Sequence, residues 1–470
     1  MKLKTLAIVL GLLSSSFAFS QEIDKNDTLD IQEEVIEMPE EILETPGEVT
    51  DTLNVEEAID TLNVLDQRLT LLEDAVQTGK KLKVSGYIQA QWESTDTLGS
   101  LKVGAGKNPN ESDSYNRFGV RRGRIKLAYE DAGNIGVIQF DLTEKGVALK
   151  DAYLSVLDPW GGYASIKGGV FDRPFGYEIS YSSSRRESPE RSRVFQTLFP
   201  DERDLGGMFT LQAPKTSPWN VLKLEAGLFS GNGIYLDTDS KKDLIGHLSY
   251  NKSESNLKYG FGASFYSGSV SQANKYVYTM DGGLFKVDST ATNKNSFAKR
   301  QYVGIDAQIS LESPIGLTTL RGEYLTGKQP GRSDNSSSPK SGLIPGFDTD
   351  NKTAKLTDTY IRNFAGAYLH LTQDIGETKH SLTFKFDFYD PNTSVSGMEV
   401  GAGTSASGLK KTNKTDVAYS TLGVGYLYRM NNNVRIMAYY DMNVNEKTAV
   451  ADYTKDRADN VFTLRFQYKF

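Results

Sequence analysis

Arg122, Arg124 and Lys126 stand two residues apart in a segment whose alternate places hold Ile125, Leu127 and Tyr129. In an extended strand successive side chains point to opposite faces, so residues two apart line one face at about 6.5 Å intervals. Three cations so spaced form a basic row that attracts anions. The guanidinium fork can grip two oxygens of a phosphate or carboxylate at once. The same parity turns Lys167, Lys223, Arg321, Lys385, Arg435 and Arg465 inward, together with Asp141, Asp151, Glu225, Asp306, Glu323, Asp387 and Asp441. A second concentration lies at 173–204, where Arg173, Arg185, Arg186, Arg191, Arg193 and Arg203 mingle with Glu178, Glu187, Glu190 and Glu202 around an apolar knot of Val194, Phe195, Leu198 and Phe199. A connection with its own buried side chains can fold back and narrow a pore.

Covalent and metal chemistry have little material. The chain has no cysteine and only three histidines, His247, His370 and His380, which excludes a thiol nucleophile, a disulfide scaffold and Cys-ligated metal. No Ser/His/Asp set can be assembled, and Gly104-Ala105-Gly106-Lys107 lacks the spacing and following hydroxyl of a phosphate-binding loop. No catalytic, metal or cofactor site is expected.

The elements that would position these charges follow from period-two patterning. Phe462, Leu464, Phe466, Tyr468 and Phe470 share one face of the last segment, and Thr463, Arg465, Gln467 and Lys469 the other. Residues 302–311 and 382–389 repeat the pattern, and sixteen such segments run from 83 to 470, separated by Gly/Asn/Asp/Ser turns. Connections at 173–204, 268–299, 328–357 and 391–413 are long, whereas those such as 130–133 and 430–432 are tight. Long loops on one side and short turns on the other, an even strand count and an aromatic last strand predict an all-β fold: a transmembrane antiparallel β-barrel of about 16 strands. Lipid would wet the apolar face and water the charged one. A membrane-spanning helical fold is excluded, since beyond the first 20 residues no apolar run approaches the roughly 20 residues it needs.

The first 80 residues differ. Lys2 and Lys4, the apolar stretch Leu6–Leu13 and Ala18-Phe19-Ser20 read as a signal peptide over 1–20. Residues 21–60 hold 15 acidic residues and one lysine, Lys25, and 21–54 read as a disordered acidic tether. Val55, Ala58, Leu62, Leu65, Leu69, Leu72 and Val76 then keep a 3,4 spacing, predicting a periplasmic coiled-coil helix at 55–79 that assembles the chain into a homotrimer.

Gly168-Gly169-Val170-Phe171-Asp172-Arg173-Pro174-Phe175-Gly176, Ser182-Ser183-Ser184, Glu190-Arg191-Ser192, Arg203-Asp204-Leu205-Gly206-Gly207 and Lys150-Asp151-Ala152-Tyr153-Leu154 resemble the phosphate-selective porin O and P family. The resemblance spans 83–470. It implies a sixteen-stranded trimeric porin of the Gram-negative outer membrane, with an inward-folded third loop and a basic path for anions. Here the inward charges are of both signs, so the expectation is passive diffusion of small polar solutes with a preference for anions such as phosphate. The path would include Arg122, Arg124, Lys126, Lys167, Arg321 and Arg435, and 173–204 would be the constriction. The alternative is a structural or adhesive barrel with a plugged lumen and partner-binding loops. Export makes nucleic acid an implausible partner.

Overall fold

The structure is a computed structural model. It describes Arg68 and residues 81–98, 115–235, 237, 239–339, 343–344 and 358–470. The signal peptide at 1–20, the tether at 21–54 and, apart from Arg68, the coiled coil at 55–79 lie outside the described residues.

Sixteen antiparallel strands form the wall. They are β1 (Leu82–Thr95), β2 (Tyr115–Asp131), β3 (Asn134–Thr143), β4 (Gly146–Leu157), β5 (Ala164–Asp172), β6 (Arg203–Gln212), β7 (Leu222–Phe229) and β8 (Asp243–Ser253). There follow β9 (Leu257–Gln272), β10 (Phe297–Ser313), β11 (Gly316–Gly331), β12 (Thr359–Asp374), β13 (His380–Asp390), β14 (Tyr419–Arg429), β15 (Val434–Asn445) and β16 (Val461–Lys469). Each pairs with the next, and β16 returns to β1 with Tyr87 opposite Lys469 and Thr95 opposite Val461. Two backbone hydrogen bonds of 3.0 Å between Gly86 and Phe470 finish the seam. A closed wall satisfies every ladder group and leaves no edge, which is what permits strands to cross hydrocarbon.

The wall has the expected two faces. Outward residues such as Val303, Ile305, Leu369 and Phe386 are exposed, whereas inward Tyr302, Lys385, Asp387 and Arg465 are buried. A continuous apolar exterior costs about 25 cal/mol per Å2 in water and nothing comparable in acyl chains. The face therefore belongs in a membrane.

The strand expected at 414–429 begins only at Tyr419. Lys414–Asp416 instead forms a turn of 3-10 helix, because Asp416 is drawn into a buried pair with Arg362 at 2.8 Å. Short strands Val277–Asp281, Leu284–Asp288, Leu343–Ile344 and Leu409–Lys411 build out the long-loop end.

An apolar core lies inside the barrel. Phe175, Ile179, Val194, Phe195, Leu198 and Phe199 of the long β5–β6 connection pack on Phe171, Met208, Phe229, Ile245, Tyr266, Tyr302, Leu325, Phe364 and Tyr368 of the inner wall. Two inward glycines make the room. A β-carbon at Gly366 would stand 2.5 Å from Val194 Cγ2, and one at Gly304 would stand 2.9 Å from Phe175 Cε1.

Candidate functional site: a loop pinned inside the barrel

The connection between β5 and β6 contains one six-residue helix, α1 (Arg193–Leu198), whose apolar face fixes the loop to β8–β13. Polar contacts fix the rest. Lys385 Nζ lies 2.8 Å from Glu178 Oε1, and Arg321 Nη1 lies 2.9 Å from Glu187 Oε2. Arg465 donates to the Pro189 carbonyl at 2.8 Å, Gln467 to that of Ser184 at 2.9 Å and Gln89 to that of Ser183 at 3.0 Å. Burying a loop's backbone demands such partners, since each unmade hydrogen bond costs about 1–3 kcal/mol.

Two acids of the loop gather several cations each, and in both cases a β-bulge supplies one of them. On β2, Gln89 faces Arg122 and Ala90 faces Val120, leaving Arg121 as the extra residue. Arg121 then reaches Glu190 through two bonds of 2.6 and 2.9 Å, beside Arg122 at 2.8 Å and Arg465 at 3.5 Å. On β4, Gln139 faces Asp151 and Phe140 faces Leu149, leaving Lys150 over. Its ammonium lies 2.7 Å from Glu202, which also holds Arg203 at 3.0 Å and Arg191. Bulges re-aim side chains, and these two turn charges from the lipid face into the lumen. Burial alone would push the Glu190 carboxyl up, but Arg121, Arg122 and Arg465 outweigh it and hold it well below the usual glutamate range.

Most residues singled out in the sequence turn inward, but many engage the loop rather than open water. Arg122 binds Glu190 and Gln89, while Arg124 binds the Ser183 hydroxyl at 3.1 Å and Asp141 at 3.5 Å. Lys126 is half-buried and forms no ion pair among the described residues. Lys167 lies over the rings of Tyr153 and Phe171, at 5.0 and 5.1 Å. Arg321 also covers the Tyr181 ring, and Arg435 donates to the Arg185 carbonyl at 3.1 Å. Within the loop, Arg173 is buried against Asp204 at 3.0 Å and Arg185 is exposed. Arg186 is buried without a protein hydrogen-bond partner for any of its three guanidinium nitrogens. Arg191 reaches Glu202 and the carbonyls of Glu178 and Ile179, and Arg193 stacks on Tyr419 at 4.0 Å. Arg203, expected in the loop, is the first residue of β6, so the connection ends at 202.

Arg121 and Lys150 are absent from the sequence-derived set. Strict alternation aims both at lipid, where a charge is costly. That cost is the signal by which a bulge could have been inferred at each.

Between the loop and β13–β16 a cavity of ≈ 40 Å3 remains, lined on one side by Glu190, Arg191, Arg193 and Gln196 and on the other by Lys385, Asp387, Thr421, Asp441 and Asn443. It is polar, charged with both signs and narrow.

Fold and site together define a transmembrane β-barrel with a loop held inside it. No family model and no curated protein matches the chain, so the motifs resembling the phosphate-selective porins have no family-level match beside them. Solved structures match at low identity. OprB of Pseudomonas putida is 9% identical, with a TM-score of 0.51 over 86% of this chain and 96% of that one. The outer membrane channel DcaP of Acinetobacter baumannii is 12% identical, with a TM-score of 0.47 over 83% and 97%. OmpF of Salmonella typhi is 11% identical, with a TM-score of 0.47 over the same shares. The likeness to OprB is one of fold.

Proposed function

We propose that the protein is an outer-membrane channel of a Gram-negative bacterium through which small polar solutes diffuse passively. The observation that carries this reading is the β5–β6 loop held inside a lipid-facing barrel by ion pairs on both flanks, beside a polar gap. A loop fixed in that way sets the width and charge of a passage, and such features are sufficient for selectivity without catalysis. A preference for solutes with an anionic group, such as phosphate, fits Lys126 and Lys167 facing the lumen without carboxylate partners. The export signal at 1–20 and the aromatic last strand support the location, and the heptads at 55–79 support a homotrimer.

The narrowness of the cavity and the burial of inward residues on β1, β13 and β16 favour a second reading, a plugged barrel whose loops bind a partner. Planar-bilayer recording of the purified protein separates the two. Stepwise conductance in KCl supports the channel, and silence at all voltages supports the plug.

A further inference from the structure

The charges lining the passage are not equally engaged. Glu190 is taken by Arg121, Arg122 and Arg465, Arg191 by Glu202, and Lys385 by Glu178. Three groups keep unused capacity. Asp387 is only 6% exposed, and its Oδ1 has no protein hydrogen-bond partner. Asp441 forms no ion pair among the described residues. On the loop side, Arg193 also forms none, and its Nε has no hydrogen-bond partner.

Their placement is set by register. Asp387 on β13 stands opposite Thr421 of β14, and Asp441 on β15 stands opposite Gly423 of β14. One strand separates the two acids and their register on it differs by two residues, so their backbones stand about 12 Å apart along the wall. Gly423 adds no side chain between them; the Tyr439 ring lies over it instead, its hydroxyl 2.1 Å from where a β-carbon would be. The wall of the gap therefore presents two acids that are in no ion pair among the described residues, beside Lys385 which is taken by Glu178, and the loop presents the Arg193 guanidinium.

We infer that the passage favours dipolar solutes, small molecules carrying both an ammonium and a carboxylate: the ammonium passes along Asp387 and Asp441 while the carboxylate passes along Arg193. A simple anion meets the buried Asp387 and the half-buried Asp441 here, and a simple cation meets Arg193. A solute with both groups satisfies each side, and buried charges are tolerated when paired. This rests on the channel reading and not on a preference for simple anions such as phosphate, which Asp387 and Asp441 oppose; the lumen cations Lys126 and Lys167 steer only the carboxylate end of a dipolar solute.

The test is swelling of liposomes containing the full-length protein, with β-alanine compared against its neutral isomer lactamide and protein-free vesicles subtracted. β-Alanine is expected to enter about threefold faster, the gain from a weak pair of ion contacts. Asp387→Asn and Asp441→Asn, made separately, are expected to bring the ratio toward one while the lactamide rate, which reports a folded open barrel, stays within about twofold. Equal entry of the two isomers into native vesicles overturns the inference, as does an unchanged ratio in both variants that still pass lactamide. If neither solute enters and no conductance step is seen, the channel reading falls and the inference with it.

Discussion

Arg121 reaches Glu190 from what should be the lipid face of its strand. The two residues are joined by hydrogen bonds of 2.6 and 2.9 Å because β2 carries one residue more than β1 between Val120 and Arg122. The bulge lets sequence neighbours Arg121 and Arg122 grip one carboxylate together. Lys150 repeats the device on β4 for Glu202. The two bulges thus serve the two acids near the loop's far end, on either side of α1.

Glu190→Gln is expected to be among the most damaging single changes in the loop. It leaves Arg122 and Arg465, both nearly inaccessible, beside a neutral partner, and breaking a buried ion pair costs about 3–5 kcal/mol. The thermal unfolding midpoint in detergent falls, and single-channel current becomes larger and noisier as the loop loosens. A variant with native midpoint and quiet current would show that the clamp is not what holds the loop.

The same carboxylate sets an acid limit. Its folded-state pKa is depressed below the ordinary 4.5, so its contribution is complete above that value and is lost only as pH falls through the depressed one. Resistance of the loop to proteolysis in detergent is therefore expected to stay constant from pH 7 to about 4.5 and to fail only in stronger acid. Release of the loop already between pH 6 and 5, above the range in which a glutamate ordinarily titrates, would contradict this.

The wall was legible because lipid enforces alternation along the whole of a strand: each of the sixteen strands overlaps a segment patterned like 382–389 and 302–311, though the ends differ. The inward direction of Arg122, Arg124, Arg321 and Lys385 was legible for the same reason. Their partners were not. Glu178 and Lys385 are 207 residues apart, and no local period links a loop acid to a strand that far away. The two bulged cations were hidden because one extra residue reverses parity without any change in composition. The start of β14 was misplaced because Asp416 obeys Arg362, a tertiary demand, rather than the strand pattern.

Lys126 and Lys167 remain the lumen cations best placed to bias permeation, since neither forms an ion pair among the described residues. Replacing both with Gln is expected to move the zero-current voltage in a KCl gradient toward cation preference by several millivolts, a modest effect because exposed charges are screened within about 8 Å at physiological salt. Heat stability stays native, in contrast to Arg122→Gln, which removes one of the three cations on Glu190. An unchanged voltage takes both lysines out of the path.

Arg362 organises the loops above the barrel. It is 1% exposed, pairs with the fully buried Asp416 at 2.8 Å, donates to the Arg332 carbonyl at 2.8 Å and lies over the rings of Phe285 and Tyr360. Asn392 adds a bond of 2.9 Å to the same carboxylate. Three connections therefore meet at one ion pair. Arg362→Met keeps the apolar stem against both rings but strands the carboxylate, at a cost of about 3–5 kcal/mol. The cap is expected to open to trypsin near Lys410, Lys411 and Lys414 while the barrel keeps its resistance to detergent, because no wall ladder depends on the pair. Adding Asp416→Asn removes the stranded charge and is expected to restore most of the protection, a coupling that a double-mutant cycle reads directly. Equal cleavage in the single and double variants would mean that Arg362 acts through packing, and that the charge it carries is incidental to the cap.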